Sequence, residues 1–296
     1  MEEELLVKND IEKGSEMAEN AFIEKSYDLS FPVRYGEIGE NGVASLAALG
    51  NWLQEAAGLS ADSLGFGESD MLRFNVTWIL TRLVLRIDRL PRAGEQLRVH
   101  TWPSTVDKLA HRGYEVFDAE GNLIVSGGSA WTAMDLAERC ITAVPEDVAK
   151  LFPENPRPCD PFVGRVIPRL KGDSASSCLL RVRRDDLDIN GHVNNTRYLS
   201  WLMETLPPTP MLSAGGETGA SPLVPRLLDI TFRAECFPQE ELECLSAPAP
   251  APASAPKEVL GQEVPWALLH SIRRLSDDSE VCRALTMWDR DPEANR

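Results

Sequence analysis

Apolar positions along this chain fall into two successive sets with the same order: one strand-like run, one helical stripe, then several strand-like runs. The first set opens with a strand at 28–35. From Ser45 to Leu64, Leu46, Leu49, Leu53, Ala57 and Leu64 recur close to one face of a helix, and Gly65-Phe66-Gly67 ends it. Strand runs follow at 75–88, 96–104, 111–118 and 122–135. They are broken by Pro91-Arg92-Ala93-Gly94, by Ser104 to Lys108 and by Glu120-Gly121-Asn122. The run Thr77 to Ile87 alternates poorly, which predicts a strand covered on both faces.

The second set repeats this order in topology more than in sequence: a strand at 176–184, a helix at about 195–206, and strands at 225–236, 239–246, 264–275 and 279–289. One helix followed by consecutive antiparallel strands is an α+β layout, with the helix lying in the curve of a sheet. Five prolines between Pro145 and Pro161 read as a linker between the halves. Two insertions interrupt the second set. Pro207 to Pro225 is rich in Pro, Gly and Ser, and Ala247 to Pro256 alternates Ala with Pro, which predicts a protruding loop rather than a continued strand.

Composition narrows the classes of function. The 296 residues suffice for two domains, and no apolar run approaches the ~20 residues of a membrane-spanning helix. With 30 basic and 46 acidic residues, net charge −16, the chain lacks the basic face that general nucleic-acid binding needs. Residues 1–25 hold eight acids and three lysines and read as an acidic leader, unlike a secretory signal or a transit peptide. Six cysteines (140, 159, 178, 236, 244, 282) form no C-x-x-C pair, which predicts reduced thiols in a cytoplasmic protein rather than disulfides or a zinc site. His100, His111 and His270 lie in strand runs without metal-like partners, so structural roles are expected of them. No phosphate-binding loop, dinucleotide fingerprint or zinc spacing is present, and no cofactor is expected.

The richest chemistry lies in Asp188-Ile189-Asn190-Gly191-His192-Val193-Asn194-Asn195, directly before the apolar helix. An extended backbone would point Asp188, Asn190, His192 and Asn194 to one face. Asn194 or Asn195 is a candidate N-cap, with the positive end of the helix behind it. Such an octet is either a plain loop and cap or a reaction site. The matching place before the first helix, Glu37-Ile38-Gly39-Glu40-Asn41-Gly42-Val43-Ala44, lacks the histidine and the paired asparagines, so the second half is expected to carry the chemistry. Trp52, Phe66, Phe74 and Trp78 of the first half are candidate pocket walls, although for any single aromatic a core position is the commoner role.

The pattern D-x-N-x-H-x-N-N before an aromatic-apolar helix resembles the signature of the acyl-acyl-carrier-protein thioesterases. In order along the chain, Trp78-Ile79-Leu80-Thr81-Arg82, Val99-His100-Thr101-Trp102, Ala130 to Asp135 and Leu228 to Cys236 resemble strands of the same family. The resemblance implies tandem hotdog folds, each a long helix wrapped by a curved antiparallel sheet. It implies an N-terminal hotdog domain at 26–144 holding the acyl chain, a linker at 145–161 and a catalytic C-terminal hotdog domain at 162–290. The activity it implies is hydrolysis of fatty acyl–carrier protein thioesters without a cofactor. Acyl-coenzyme A hydrolysis on the same fold is the nearest alternative, and a non-catalytic acyl-binding protein a more distant one. Family members from plants carry a plastid transit peptide, whereas the acidic leader here suggests a bacterial, cytoplasmic protein or a trimmed chain. A homodimer is left open.

By the same resemblance Asp188, Asn190, His192 and Glu235 form the site. His192 can act as base or acid near neutral pH, Asp188 can orient it, Asn190 can hold the thioester oxygen, and Glu235 can help activate water. Cys236 offers a competing nucleophile. Neighbours on a strand face opposite sides, so Glu235 and Cys236 cannot both point at His192, and the reading favours Glu235 with water. The carrier protein is itself acidic. Between 165 and 197 seven basic residues, Arg181, Arg183 and Arg184 among them, outnumber four acidic ones, which makes this segment a candidate docking patch or an ordinary charged strand face.

Overall fold

The computed structural model describes residues 25–154, 156–159, 166–171, 176–189, 191–206, 223–249 and 266–290. Strands β1 (Tyr27–Pro32), β2 (Val76–Ile87), β3 (Gln96–Val106), β4 (Ala110–Phe117), β5 (Leu123–Asp135) and β6 (Cys140–Thr142) make the first half. With them come helices α1 (Leu46–Leu64), α2 (Glu68–Leu72) and α3 (Glu146–Ala149). The second half holds β7 (Ser176–Arg181), α4 (Asn195–Met203), β8 (Leu223–Phe232), β9 (Glu241–Ala249), β10 (Trp266–Arg274) and β11 (Glu280–Arg290).

All strands join one antiparallel sheet in the order β1-β3-β4-β5-β2-β8-β11-β10-β9-β7, with β6 beside β5. The order is a mirror of itself about the β2–β8 pair, where Leu83 meets Ile230 and Leu85 meets Leu228. The two expected sheets are therefore continuous through this seam. Strand β2 is central, and its sparse alternation matches a burial pattern in which Val84, Leu85 and neighbouring apolar residues are covered on both faces.

Ser45 caps α1 by accepting the Ala48 amide hydrogen at 3.1 Å, and Gly65 ends it in the left-handed conformation at φ 82°. Along one face Leu49, Leu53 and Ala56 are wholly buried against the sheet and α4. Each leucine contributes about 1.5–3 kcal/mol of burial free energy.

Two expectations change. The Pro-rich stretch begins as packed structure, because Pro145 starts α3, Val148 is buried and the Phe152 ring stacks on Phe66 at 4.9 Å. Strand β9 also runs on through Ala247, Pro248 and Ala249 to pair with β10. Its other neighbour, β7, begins at Ser176 opposite Ser246. Among the described residues Pro248 is paired only with β10, which suits a residue that has no amide hydrogen to give a second neighbour. Residues 250–256 of that insertion lie outside the described residues, as do 207–222 and the leader up to residue 24.

Candidate active site

The octet before α4 is a tight turn, not an extended strip. Leu187 and Val193 form a bridge, the Asp188 amide donates to the His192 carbonyl at 2.8 Å, and the Gly191 amide donates to the Asp188 carbonyl at 3.1 Å. Gly191 has φ 76°, a conformation that only glycine adopts without cost. The alternation that would place four side chains on one face therefore does not apply. The Asp188 carboxylate accepts the His192 backbone amide hydrogen at 3.2 Å and so braces the turn. Asn194 is the N-cap, its side-chain oxygen accepting from the Thr196 amide and hydroxyl, both at 3.0 Å. Asn190 lies outside the described residues.

The first half contains the same turn without the chemistry. Ile38 bridges Ala44, Gly39 donates to the Val43 carbonyl at 2.8 Å, and Gly42 takes φ 78°. Gly39 and Val43 occupy the places of Asp188 and His192.

The loop after β8 brings Glu235 to His192. It is held by the Val193 amide donating to the Cys236 carbonyl at 3.1 Å and by Arg274 Nη2 donating to the Glu235 carbonyl at 2.6 Å. Glu235 Oε1 is 3.6 Å from His192 Nδ1 and is buried without a hydrogen-bond partner. The His192 ring meets Phe237 edge-on at 5.3 Å. Strand β8 ends at Phe232, so Glu235 and Cys236 sit on a loop rather than a strand, yet they still point opposite ways. Cys236 is wholly buried in the core, Tyr198 bonds to its sulfur, and burial pushes its thiol pKa up.

One residue here was not legible in the sequence. Arg139, in the turn between β5 and β6 of the first half, donates from Nη2 to Glu235 Oε2 and lies 3.5 Å from His192 Nε2. The contact spans 96 residues, and no local motif marks it.

A cavity of about 400 Å³ runs along α1 from Asp188, Asn194 and Asn195 to Phe66 and Phe152. Phe66 and Trp78, expected as walls, do line it, and Trp78 Nε1 donates to the Phe66 carbonyl at 2.9 Å. Trp52 instead fills the core, and Phe74 is on the surface at 43% exposure. The wall also carries Arg112, a buried guanidinium that donates to Ser60 at 2.9 Å and Thr101 at 3.2 Å, and whose pKa burial pushes down.

The basic cluster is partly structural. Arg183 and Arg197 flank the buried Asp186 carboxylate at 3.5 and 3.9 Å, while Arg181 donates to Gln239 at 3.3 Å. Among the described residues no group of side chains is arranged to hold a metal ion, and no helix is long and apolar enough to cross a membrane.

Comparison with known proteins gives concordant matches to both halves. The acyl-ACP thioesterase N-terminal domain matches residues 24–152, and the C-terminal domain of the same family matches 171–290. The chain is similar to chloroplastic palmitoyl-acyl carrier protein thioesterases of Gossypium hirsutum, 30% identical over 88% of this chain, and of Cuphea hookeriana, 28% identical over 88%. It spans 63% and 61% of the length of those relatives. The structure of the 12:0-ACP thioesterase from Umbellularia californica superposes with a TM-score of 0.74, covering 90% of this chain and 95% of that one at 24% identity. The tandem hotdog architecture, the repeated turn and both domain matches together make this chain a member of the acyl-ACP thioesterase family.

Proposed function

We propose that this protein hydrolyses fatty acyl thioesters of acyl carrier protein, releasing the free fatty acid and the carrier thiol. The observation that carries this reading is His192 beside Glu235, on the turn whose Asp188, Asn194 and Asn195 line the cavity along α1. The cavity wall comes mainly from the first half and the reacting groups mainly from the second. This supports a division into an acyl-binding domain at 26–144 and a catalytic domain at 162–290.

In this reading the acyl chain lies along α1 with its thioester carbonyl at the turn. His192 takes a proton from water, and the Glu235 carboxylate next to Nδ1 balances the positive charge that develops on the ring. The resulting hydroxide attacks the carbonyl carbon to give a tetrahedral oxyanion. Amide donors around the start of α4, with Asn190 as the resemblance implies, stabilise that oxygen. The carbon–sulfur bond then breaks, and the proton held by His192 passes to the departing thiolate. Asp188 works on the turn rather than on the ring, since its carboxylate holds the His192 backbone. Cys236 takes no part, because its thiol faces the core and burial disfavours the thiolate. The carrier protein is the macromolecular partner, and a cytoplasmic location fits the six free thiols.

The test is turnover of one acyl chain presented on carrier protein and on coenzyme A, with substitutions in both segments. His192→Ala, Glu235→Ala, Asp188→Ala and Asn190→Ala should each lower kcat/KM on the carrier substrate by about a hundredfold or more. Cys236→Ala should keep most activity. An acyl group trapped on Cys236 in quenched enzyme would replace the water mechanism with a covalent one. Faster hydrolysis of the coenzyme A ester would reassign the substrate.

A further inference from the structure

We propose that Arg139 is a positioning residue for this reaction: the first half supplies a guanidinium that fixes the Glu235 carboxylate against His192 and sets the histidine's tautomer. The inference rests on the reading of His192 and Glu235 as the reacting pair. It adds a residue from the other half of the molecule.

The turn that presents Arg139 is well braced. Asp135 Oδ1 accepts the amide hydrogens of Ala137 at 2.8 Å and Glu138 at 2.9 Å, and the Leu136 amide donates to the Asn75 carbonyl at 3.0 Å. Strand β6 then pairs back on β5, Cys140 opposite Asp135. Arg139 itself has φ 50°, a left-handed conformation that a non-glycine residue adopts only at a cost. The conformation directs its side chain across the junction of the halves to Glu235 and His192.

The consequences are geometric. A carboxylate can swing about its stem, so a base that relies on it needs a second point of attachment. Arg139 holds Glu235 Oε2, which leaves Oε1 buried and turned toward His192 Nδ1 at 3.6 Å. A guanidinium has only donors. Standing 3.5 Å from Nε2, it favours the ring form with the hydrogen on Nδ1, directed at Glu235, and a lone pair on Nε2. Nε2 is then the basic atom of the ring, and it takes the proton from water when the long contact to Arg139 gives way to the water. A mere surface ion pair would contribute little to stability and have no effect on the ring. The Arg139 side chain is 47% exposed, so its replacement should leave the fold intact.

The experiment uses the full chain and has two arms. In the kinetic arm, Arg139→Ala is assayed with acyl carrier protein thioester and with the same acyl group on N-acetylcysteamine. The expected result is a fall in kcat of about tenfold or more on both substrates with KM nearly unchanged, the scale of a misplaced catalytic group. Arg139→Lys should recover part of the loss, and added methylguanidinium should restore part of it to Arg139→Ala. In a Glu235→Gln background the same substitution should cost nothing further. A loss confined to KM on the carrier substrate would make Arg139 a docking residue and overturn the proposal, as would losses that simply add to that of Glu235→Gln. In the second arm, nitrogen NMR of labelled histidine reads the His192 tautomer without any turnover. The Nδ1–H form should dominate in the wild type and lose its dominance in Arg139→Ala, and an unchanged spectrum would overturn the proposal. This arm stands even if the chain cleaves neither thioester, an outcome that would count against the proposed function alone.

Discussion

His270 sits wholly inside the second half, with Nε2 2.8 Å from the Thr286 hydroxyl and Nδ1 3.3 Å from the Thr205 hydroxyl. Two hydroxyls satisfy a neutral ring, and burial holds the pKa down at about 3 against an ordinary 6.5. Since the folded value lies below the unfolded one, the unfolded chain binds this proton first as pH falls. The stability that neutral His270 contributes is complete above about pH 6.5. It is lost toward pH 3 at up to about 1.4 kcal/mol per pH unit. Denaturant midpoints measured between pH 7 and pH 4 should therefore fall less steeply in His270→Gln, even if that variant is weaker at pH 7. The absence of a metal-like neighbour in the sequence already marked His270 as structural, but its hydroxyl partners lie 16 and 65 residues away and could not be read there. The octet was legible as a place and not as a geometry. Its residue types pointed to chemistry, whereas Gly191 turns the chain back on itself and brings the His192 backbone amide to the Asp188 carboxylate.

At the scale of elements, the pattern of apolar residues located the helices and strands well wherever a local signal ended them. Helix α1 starts and stops where Ser45 and Gly65 say it should. Strand ends governed by pairing were harder to place. Strand β8 stops at Phe232, short of the expected 236, and β9 extends to Ala249 because β10 continues beside it. Packing between strands also hides in single glycines. Gly127 in β5 lies so close to β2 that an added Cβ would stand 2.2 Å from the Val84 carbonyl oxygen and 2.7 Å from a Leu85 methyl. Backbone cannot yield as a side-chain tip can, so Gly127→Ala must push β5 away from the central strand. Overpacking of this kind costs about 1–3 kcal/mol. Thermal unfolding of Gly127→Ala should show a clear drop in Tm, and an unchanged Tm would mean that the two strands can slide apart freely.

Across the whole molecule the seam between β2 and β8 carries a buried ion pair. Arg82 donates from Nε to Asp229 Oδ1 at 2.8 Å and from Nη2 to Oδ2 at 2.6 Å, and the Asp229 side chain has no exposure. Burial nonetheless pushes the Asp229 pKa up, so the pair is a point where removing one partner leaves the other stranded. Asp229→Ala should cost about 3–5 kcal/mol in urea unfolding, and the double substitution Arg82→Met with Asp229→Leu should recover most of it. Equal losses in single and double variants would show that the side-chain shapes, not the charges, hold the seam. Long-range pairs such as this one, and Arg139 with Glu235, are what the sequence withheld, because nothing within a local window couples residues 147 or 96 positions apart. The duplicated turn has a further consequence. The first copy keeps the backbone of the second but holds Gly39 and Val43 where the other holds Asp188 and His192, so under the proposed mechanism its half takes no part in proton transfer. On that reading mutation can reshape the walls at Phe66, Trp78 or Phe152, and with them the acyl chains admitted, while the proposed reacting turn stays as it is. A duplicated fold used in the proposed way separates what is selected from how it is cut, so that the choice of acyl chain can change without change in the hydrolytic turn.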